Sequence, residues 1–171
     1  MGGAVYRVRQ FVRALTASWV REDPAALEVL TPAQRALFLR MSPADRRHGV
    51  AVYRALKGQG VGSRDLLVAA LLHDVGKAAT PLPVWVRVAV VLLERFAPGW
   101  LARLGAGEPR GWRRPFVVYQ QHPEIGAAWA AEAGCSPLTV SLIRRHHERG
   151  VQGEGEEERS LKRLQAADGS W

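Results

Sequence analysis

The sequence predicts an all-α protein. Three observations carry that expectation. Apolar residues recur at helical spacing, Ser-Pro and Thr-Pro helix starts recur along the chain, and no segment shows the strict apolar–polar alternation of a half-buried strand.

Each element has its own local reason. From Val5 to Val20, apolar side chains fall at Val5, Val8, Val12, Leu15 and Trp19, the spacing of one helix face. Thr31-Pro32-Ala33-Gln34 has the form of an N-cap, a proline at the first helical position and a capping-box glutamine. Ser42-Pro43-Ala44-Asp45 repeats the signal, with an acidic residue suited to the first turn. That helix should carry His48 and run to about Leu56, ended by Gly58, Gly60 and Gly62. Ser63 is placed to cap a helix from Arg64 to Leu72, which delivers the stretch LLHDVGK. Pro81 and Pro83 mark a turn before a helix over Val84 to Phe96, while the Gly/Pro-rich Pro98 to Pro115 reads as a loop or broken helix. Phe116 to Gln121 leads into HPEIGAAWAAEAG, a helix ended by Gly134, and Ser136-Pro137 opens SPLTVSLIRRHHER. Residues 150 to 158, GVQGEGEEE, read as a solvated loop, and Ser160 to Ala167 as a last short helix ending in Asp168.

Composition narrows the class. A chain of 171 residues is most simply one domain and can bury a substantial core, and 47% apolar content is that of a globular protein. A single cysteine, Cys135, excludes an intrachain disulfide framework. The N-terminus has arginines spaced through it and no uninterrupted apolar stretch, so it does not read as a signal peptide. The longest apolar run, residues 84 to 93, is interrupted by Arg87 and is too short to span a bilayer. A cytoplasmic location is the expectation that follows. The net charge of +8 comes almost entirely from arginine, with only three lysines. No Lys/Arg block or aromatic–basic interleaving accompanies it, so nucleic acid is not the expected partner. A basic surface also favours small anionic molecules.

The chemistry lies in the histidines. All five, His48, His73, His122, His146 and His147, fall in or at the ends of expected helices. Within LLHDVGK an apolar helix ends in an imidazole, a carboxylate and an ammonium group, which must satisfy one another or hold something else, because buried unpaired charge costs several kcal/mol. Imidazoles and carboxylates converging from several helices form the usual metal site of a helical bundle. Neutral imidazole and carboxylate suit iron, manganese, zinc or nickel, and the lack of a thiolate set argues against a structural zinc site. Asp74 beside His73 and Asp168 near the chain end complete the candidate donors.

The order His48, His73-Asp74, His122, His146, Asp168 resembles the HD-domain superfamily of metal-dependent phosphohydrolases, over residues 42 to 171. HDVGK is similar to that family's HD motif with its trailing lysine. HPEIGA (122 to 127) followed by LIRRHHER (142 to 149) is similar to the HD-GYP branch, whose members hydrolyse cyclic di-GMP. Two features depart from that branch: no Gly-Tyr-Pro follows the HHE, and Ala44 stands where a carboxylate often precedes the first histidine. The resemblance implies an HD-domain helical bundle over 42–171, with 1–41 as an N-terminal helical extension. It implies that His48, His73, Asp74 and Asp168 hold one divalent metal ion. Asp74 would bridge to a second ion held by His122 and His146.

His147 sits about 100° round a helix from His146, so the two should not point the same way. His146 is therefore the expected ligand, with His147 behind it or against substrate. Lys77 is the candidate to hold a phosphate oxygen, the plainer reading being a surface cation near a helix C-terminus. Arg144, Arg145 and Arg149 could help bind an anionic substrate, at least two of them being ordinary exposed residues, and Arg145 is the expected substrate contact. Trp100, Trp112 and Trp129 could stack on a base, but tryptophans at helical spacing more often belong to the core. The expected activity is hydrolysis of a nucleotide or other small phosphorylated substrate, with Asp74 and Lys77 as catalytic residues. Two alternatives stand beside it: a di-iron oxygenase, since myo-inositol oxygenase resembles the same ligand order on the same fold, and a metal-binding regulatory module without turnover. The apolar run from Val84 to Phe96 should pack on the domain or on a second copy of the chain in a homodimer, a membrane-surface role being the competing idea.

Overall fold

The computed structural model describes residues 24–80 and 83–169. The helix expected over Val5 to Val20 and the turn residue Pro81 lie outside them. Among the described residues the fold is all-α, with nine α-helices, two 3-10 turns and no strand. In chain order these are α1 (Pro24–Glu28), α2 (Pro32–Leu39), α3 (Pro43–Gly58), α4 (Arg64–Leu72), a 3-10 turn (Val75–Ala79), α5 (Val84–Phe96), α6 (Pro98–Gly105), a second 3-10 turn (Gly111–Arg113), α7 (Arg114–Glu132), α8 (Pro137–Arg145) and α9 (Glu156–Asp168).

The helix starts follow local chemistry. Thr31 forms the full capping box with Gln34, its side chain accepting from the Gln34 N–H while Gln34 Oε1 accepts from the Thr31 N–H. Ser42, Ser63 and Ser136 cap α3, α4 and α8 in the same manner, each accepting from the backbone N–H three residues on. Ser136 also donates to Asp65 Oδ1 at 2.6 Å, which ties the start of α8 to the start of α4.

α4 is the central strut. Every residue from Leu66 to Leu72 is buried, so no side of the helix faces water. Burial of each leucine or valine there stabilises the fold by about 2 kcal/mol. α2, α3, α8 and α9 pack around it. Gly49 lets α3 cross α4 with backbone nearly in contact, since a Cβ at that position would lie 2.8 Å from the Leu71 carbonyl oxygen. This approach sets the neighbouring His48 beside His73, their ring centres 5.2 Å apart. Ala26, Leu27, Leu30, Leu37, Phe38 and Met41 belong to the same apolar core as α4, so α1 and α2 pack as part of one body with the helices that follow.

Of the two readings open for Pro98–Pro115, the broken helix is the one found: a regular helix, α6, precedes the break, and Arg113 ties the following loop back by donating to the carbonyls of Arg103, Leu104 and Ala106. One element differs from the sequence expectation. The loop expected over 150–158 stops early: Glu156, Glu157 and Glu158 are the first turn of α9, where their charge complements the helix dipole. A smaller apolar cluster of Val86, Val90, Leu101 and Phe116 joins α5 and α6 to α7. No described helix is long and apolar enough to cross a membrane.

Candidate metal centre

Five elements bring the donors together. α3 supplies His48, the end of α4 supplies His73 and Asp74, α7 supplies His122, the end of α8 supplies His146 and His147, and the end of α9 supplies Asp168. Within each of two groups, His48–His73–Asp74 and His122–His146–His147, the nearest ligand atoms all lie within 4.8 Å of one another. Both groups could hold a metal ion.

Asp74 stands between them. Its Oδ1 lies 3.3 Å from His122 Nε2 and 3.8 Å from His146 Nε2, and those two nitrogens are 3.3 Å apart. Its Oδ2 lies 3.6 Å from His73 Nε2 and accepts from Lys77 Nζ at 2.7 Å. Asp168 Oδ1 lies 2.7 Å from His48 Nε2 and 3.6 Å from His73 Nε2. Donors about 2.1 Å from one cation in a tetrahedral shell are separated by about 3.4 Å. The separations around Asp74 Oδ1 fit such a shell. His73 Nε2 is buried with no hydrogen-bond partner, which an ion would supply.

The three buried histidines are aimed by one device. His73 Nδ1 donates to the Ala70 carbonyl at 2.9 Å, His146 Nδ1 to the Ile143 carbonyl at 2.7 Å, and His122 Nδ1 to the Tyr119 carbonyl at 2.5 Å. A carbonyl oxygen only accepts, so each Nδ1 carries the proton and each Nε2 presents a lone pair to the centre. Carbonyls inside a helix are normally occupied by the N–H four residues on. Ala70 and Ile143 are free to accept because α4 and α8 end there, at Leu72 and Arg145. Tyr119 lies inside α7, but the residue four positions on is Pro123, which has no N–H. The proline in HPEIGA thereby releases the carbonyl that orients the histidine before it.

A prediction follows for Pro123→Ala. Restoring the N–H gives Tyr119 O a competing donor, so the variant should unfold at a higher temperature in chelator yet bind metal about tenfold more weakly, the usual scale for losing such an orienting contact. Calorimetric metal titration beside a thermal melt checks it. Unchanged metal affinity would remove this role from Pro123.

The electrostatics suit cation binding. Burial pushes the His73 and His146 imidazoles below their ordinary range, His146 far below, so both are neutral ligands near pH 7. Burial opposes ionisation of Asp74, but the Lys77 ammonium and then His73 outweigh it and hold the carboxyl well below the usual aspartate range. Burial likewise opposes ionisation of Asp168, yet the His48 hydrogen bond, with the His73 and His48 rings beside it, brings it to about 2. His48 is raised: burial lowers it, and the Asp168 hydrogen bond with the Asp74 and Asp168 charges prevails.

The expected residues divide as follows. His48, His73, Asp74, His122, His146, Asp168 and Lys77 converge on one locality. His147 joins them, although helix geometry predicted that it would point away. α8 ends at Arg145, so the helical rotation does not carry on, and the two rings lie edge to face with centres 4.2 Å apart. His147 is exposed where His146 is buried, and it lies at the open side of the group. Arg145 stands apart, its guanidinium taken by Glu148, Glu157 and Glu158. Trp100 and Trp112 are exposed and away from the core, whereas Trp129 packs against the core under the Arg40 guanidinium. Tyr119 and Pro123 are the contributors that sequence reasoning passed over. The chain matches no family model, no curated protein and no solved structure.

Proposed function

We propose that this chain is a metal-dependent phosphohydrolase of the HD-domain type, acting on a nucleotide or another small phosphate ester through two metal ions. The observation that supports this reading is the division of one buried carboxylate between two histidine groups, Oδ1 of Asp74 facing His122 and His146 and Oδ2 facing His73. His48, His73, Asp74 and Asp168 would hold one ion; Asp74, His122 and His146 would hold the other, with His147 at the edge. Such a pair of cations, when bound, lowers the pKa of a shared water toward neutrality and offsets the charge on a phosphate.

The chain's own groups do the rest. The Nδ1–H contacts orient the imidazoles, and burial keeps His73 and His146 neutral, so no proton has to leave those two for a ligand bond to form. Lys77 carries an ammonium that a second partner can share, since its two remaining N–H groups are directed away from Asp74. It is partly exposed and would hold a phosphate oxygen as a point charge. His147 supplies a further polar contact at the mouth. Arg145 has no part in this, being neutralised by three glutamates.

The test is metal analysis of the purified chain together with a hydrolysis screen of phosphomonoesters, cyclic nucleotides and dinucleotides. Two bound metals with turnover of one of these classes supports the reading; oxygen consumption without phosphate release would replace it with the oxygenase alternative. Lys77→Ala should keep both metals and lose about ten- to a hundredfold in kcat/KM, the worth of one charge-assisted hydrogen bond. Loss of metal from that variant would reassign Lys77 to holding Asp74 in place.

A further inference from the structure

α5 is apolar nearly all round, and only part of it is covered. Val86 and Val90 face the cluster under α7, while Trp85, Val88, Leu92 and Phe96 form an uncovered stripe at positions i, i+3, i+7 and i+11. Trp85 is 62% exposed, Leu92 52%, Phe96 74%, and Trp100, just beyond the turn at Ala97, 61%. The single acidic residue of α5, Glu94, lies about 160° round the helix from Leu92. It accepts from the Tyr119 hydroxyl at 3.1 Å, so no carboxylate interrupts the stripe.

Arginines flank it. The Arg95 guanidinium lies 5.6 Å from the centre of the Phe96 ring, and that of Arg103 5.8 Å from the Trp100 ring. Residues 83 to 114 carry six arginines against two glutamates, and Arg110 already takes Glu108 at 2.7 Å. An exposed aromatic and aliphatic stripe with a cationic border matches a surface that is apolar within and anionic at its rim.

We propose that α5 and the turn into α6 seat this protein on the surface of an anionic lipid bilayer. The tryptophans and Phe96 enter the headgroup–acyl boundary, and Arg95 and Arg103 stay at the level of the lipid phosphates. The helix lies in the plane of the interface rather than crossing it, consistent with its 13 residues. A second copy of the chain is the poorer occupant, because pairing this face with itself would oppose two cationic borders with no carboxylate on the stripe to answer them. The inference is independent of the metal centre.

The test is co-sedimentation of the full chain with phosphatidylcholine vesicles and with phosphatidylcholine–phosphatidylglycerol vesicles. Binding to the mixed vesicles only, weakened by salt and accompanied by a blue shift of tryptophan emission, is the expected result. Leu92→Ser with Phe96→Ser, and separately Arg95→Glu with Arg103→Glu, should each weaken binding about tenfold or more while circular dichroism stays unchanged. These side chains are exposed, so neither pair removes core. No binding to the mixed vesicles overturns the proposal, as does binding that both pairs leave intact. A dimer in sedimentation velocity that Leu92→Ser with Phe96→Ser dissolves, without vesicle binding, gives the face to a second copy and also overturns it.

Discussion

On the proposed two-metal reading, Asp74→Ala is expected to cost the protein at least one metal ion and to lower hydrolysis by about a thousandfold or more, a loss of several kcal/mol in transition-state stabilisation. Among the described residues the carboxylate is the one donor that faces both histidine groups, at 3.3 Å from His122 and 3.6 Å from His73. Its removal would leave the two proposed cations close together with less negative charge between them, and their repulsion would favour release of one. The same substitution strands Lys77, whose ammonium sits 2.7 Å from Asp74 Oδ2 with a raised pKa: burial works against its charge, and the Asp74 carboxylate overcomes that. The Lys77 ammonium, a third positive charge left without its counter-ion, would then add to the repulsion. Metal stoichiometry and phosphate release are measured on the same preparation. Two tightly bound ions and near-normal turnover in Asp74→Ala would refute the bridged arrangement. Metal loss without any hydrolysis in the parent chain would keep the metal centre and reject the phosphohydrolase reading.

Helix starts were the most legible part of the chain, because an N-cap is decided within four residues. Thr31, Ser42, Ser63 and Ser136 each announce themselves by a side-chain acceptor, three of them followed by proline. The first four residues of α9 are not legible, for the converse reason. Its first residue follows Gly155, which has no side chain to cap with, and the glycine-rich run before it carries no periodicity. Three successive glutamates at a helix N-terminus were the available signal.

The order of histidines and aspartates located the donors, but not the machinery that aims them. That machinery uses backbone carbonyls, and whether a carbonyl is free depends on where a helix ends or lacks an N–H. The prolyl position in HPEIGA was visible; its consequence for Tyr119 required the ring nitrogen's partner to be seen. The helical rotation that would turn His147 away from His146 stops at Arg145, where α8 ends. The partners of Arg145 come mostly from α9, Glu157 lying 12 residues away in sequence, and no local pattern encodes that pairing.

Gly76→Ala is expected to destabilise the fold by about 3 kcal/mol or more, the upper range for forced overpacking. The 3-10 turn after Asp74 lies directly on α7. A Cβ at Gly76 would stand 2.0 Å from the His122 carbonyl oxygen and 2.8 Å from the Gly126 nitrogen. These are backbone atoms within a helix, so no side chain can swing aside. Gly126 faces it from α7 in a less crowded but still tight position, a Cβ there meeting the Gly76 nitrogen at 3.2 Å and Ile143 and Val75 at 3.3 Å. The glycines of HDVGK and HPEIGA are thus two halves of one contact, and that contact fixes Asp74 against His122. Gly76→Ala must push the turn off α7, so the melting temperature should fall by roughly 6–12 °C. The melt is run in chelator, so that loss of metal does not contribute to the shift. Gly58→Ala provides the comparison, since a Cβ there meets nothing within 4 Å and the last turn of α3 should gain slightly. With metal present, Gly76→Ala should also bind its ions more weakly than the parent, because His122 has moved relative to Asp74. A melting temperature within a degree or two of the parent's would mean that the turn can shift without cost, and the close crossing would not be what holds the two motifs in register.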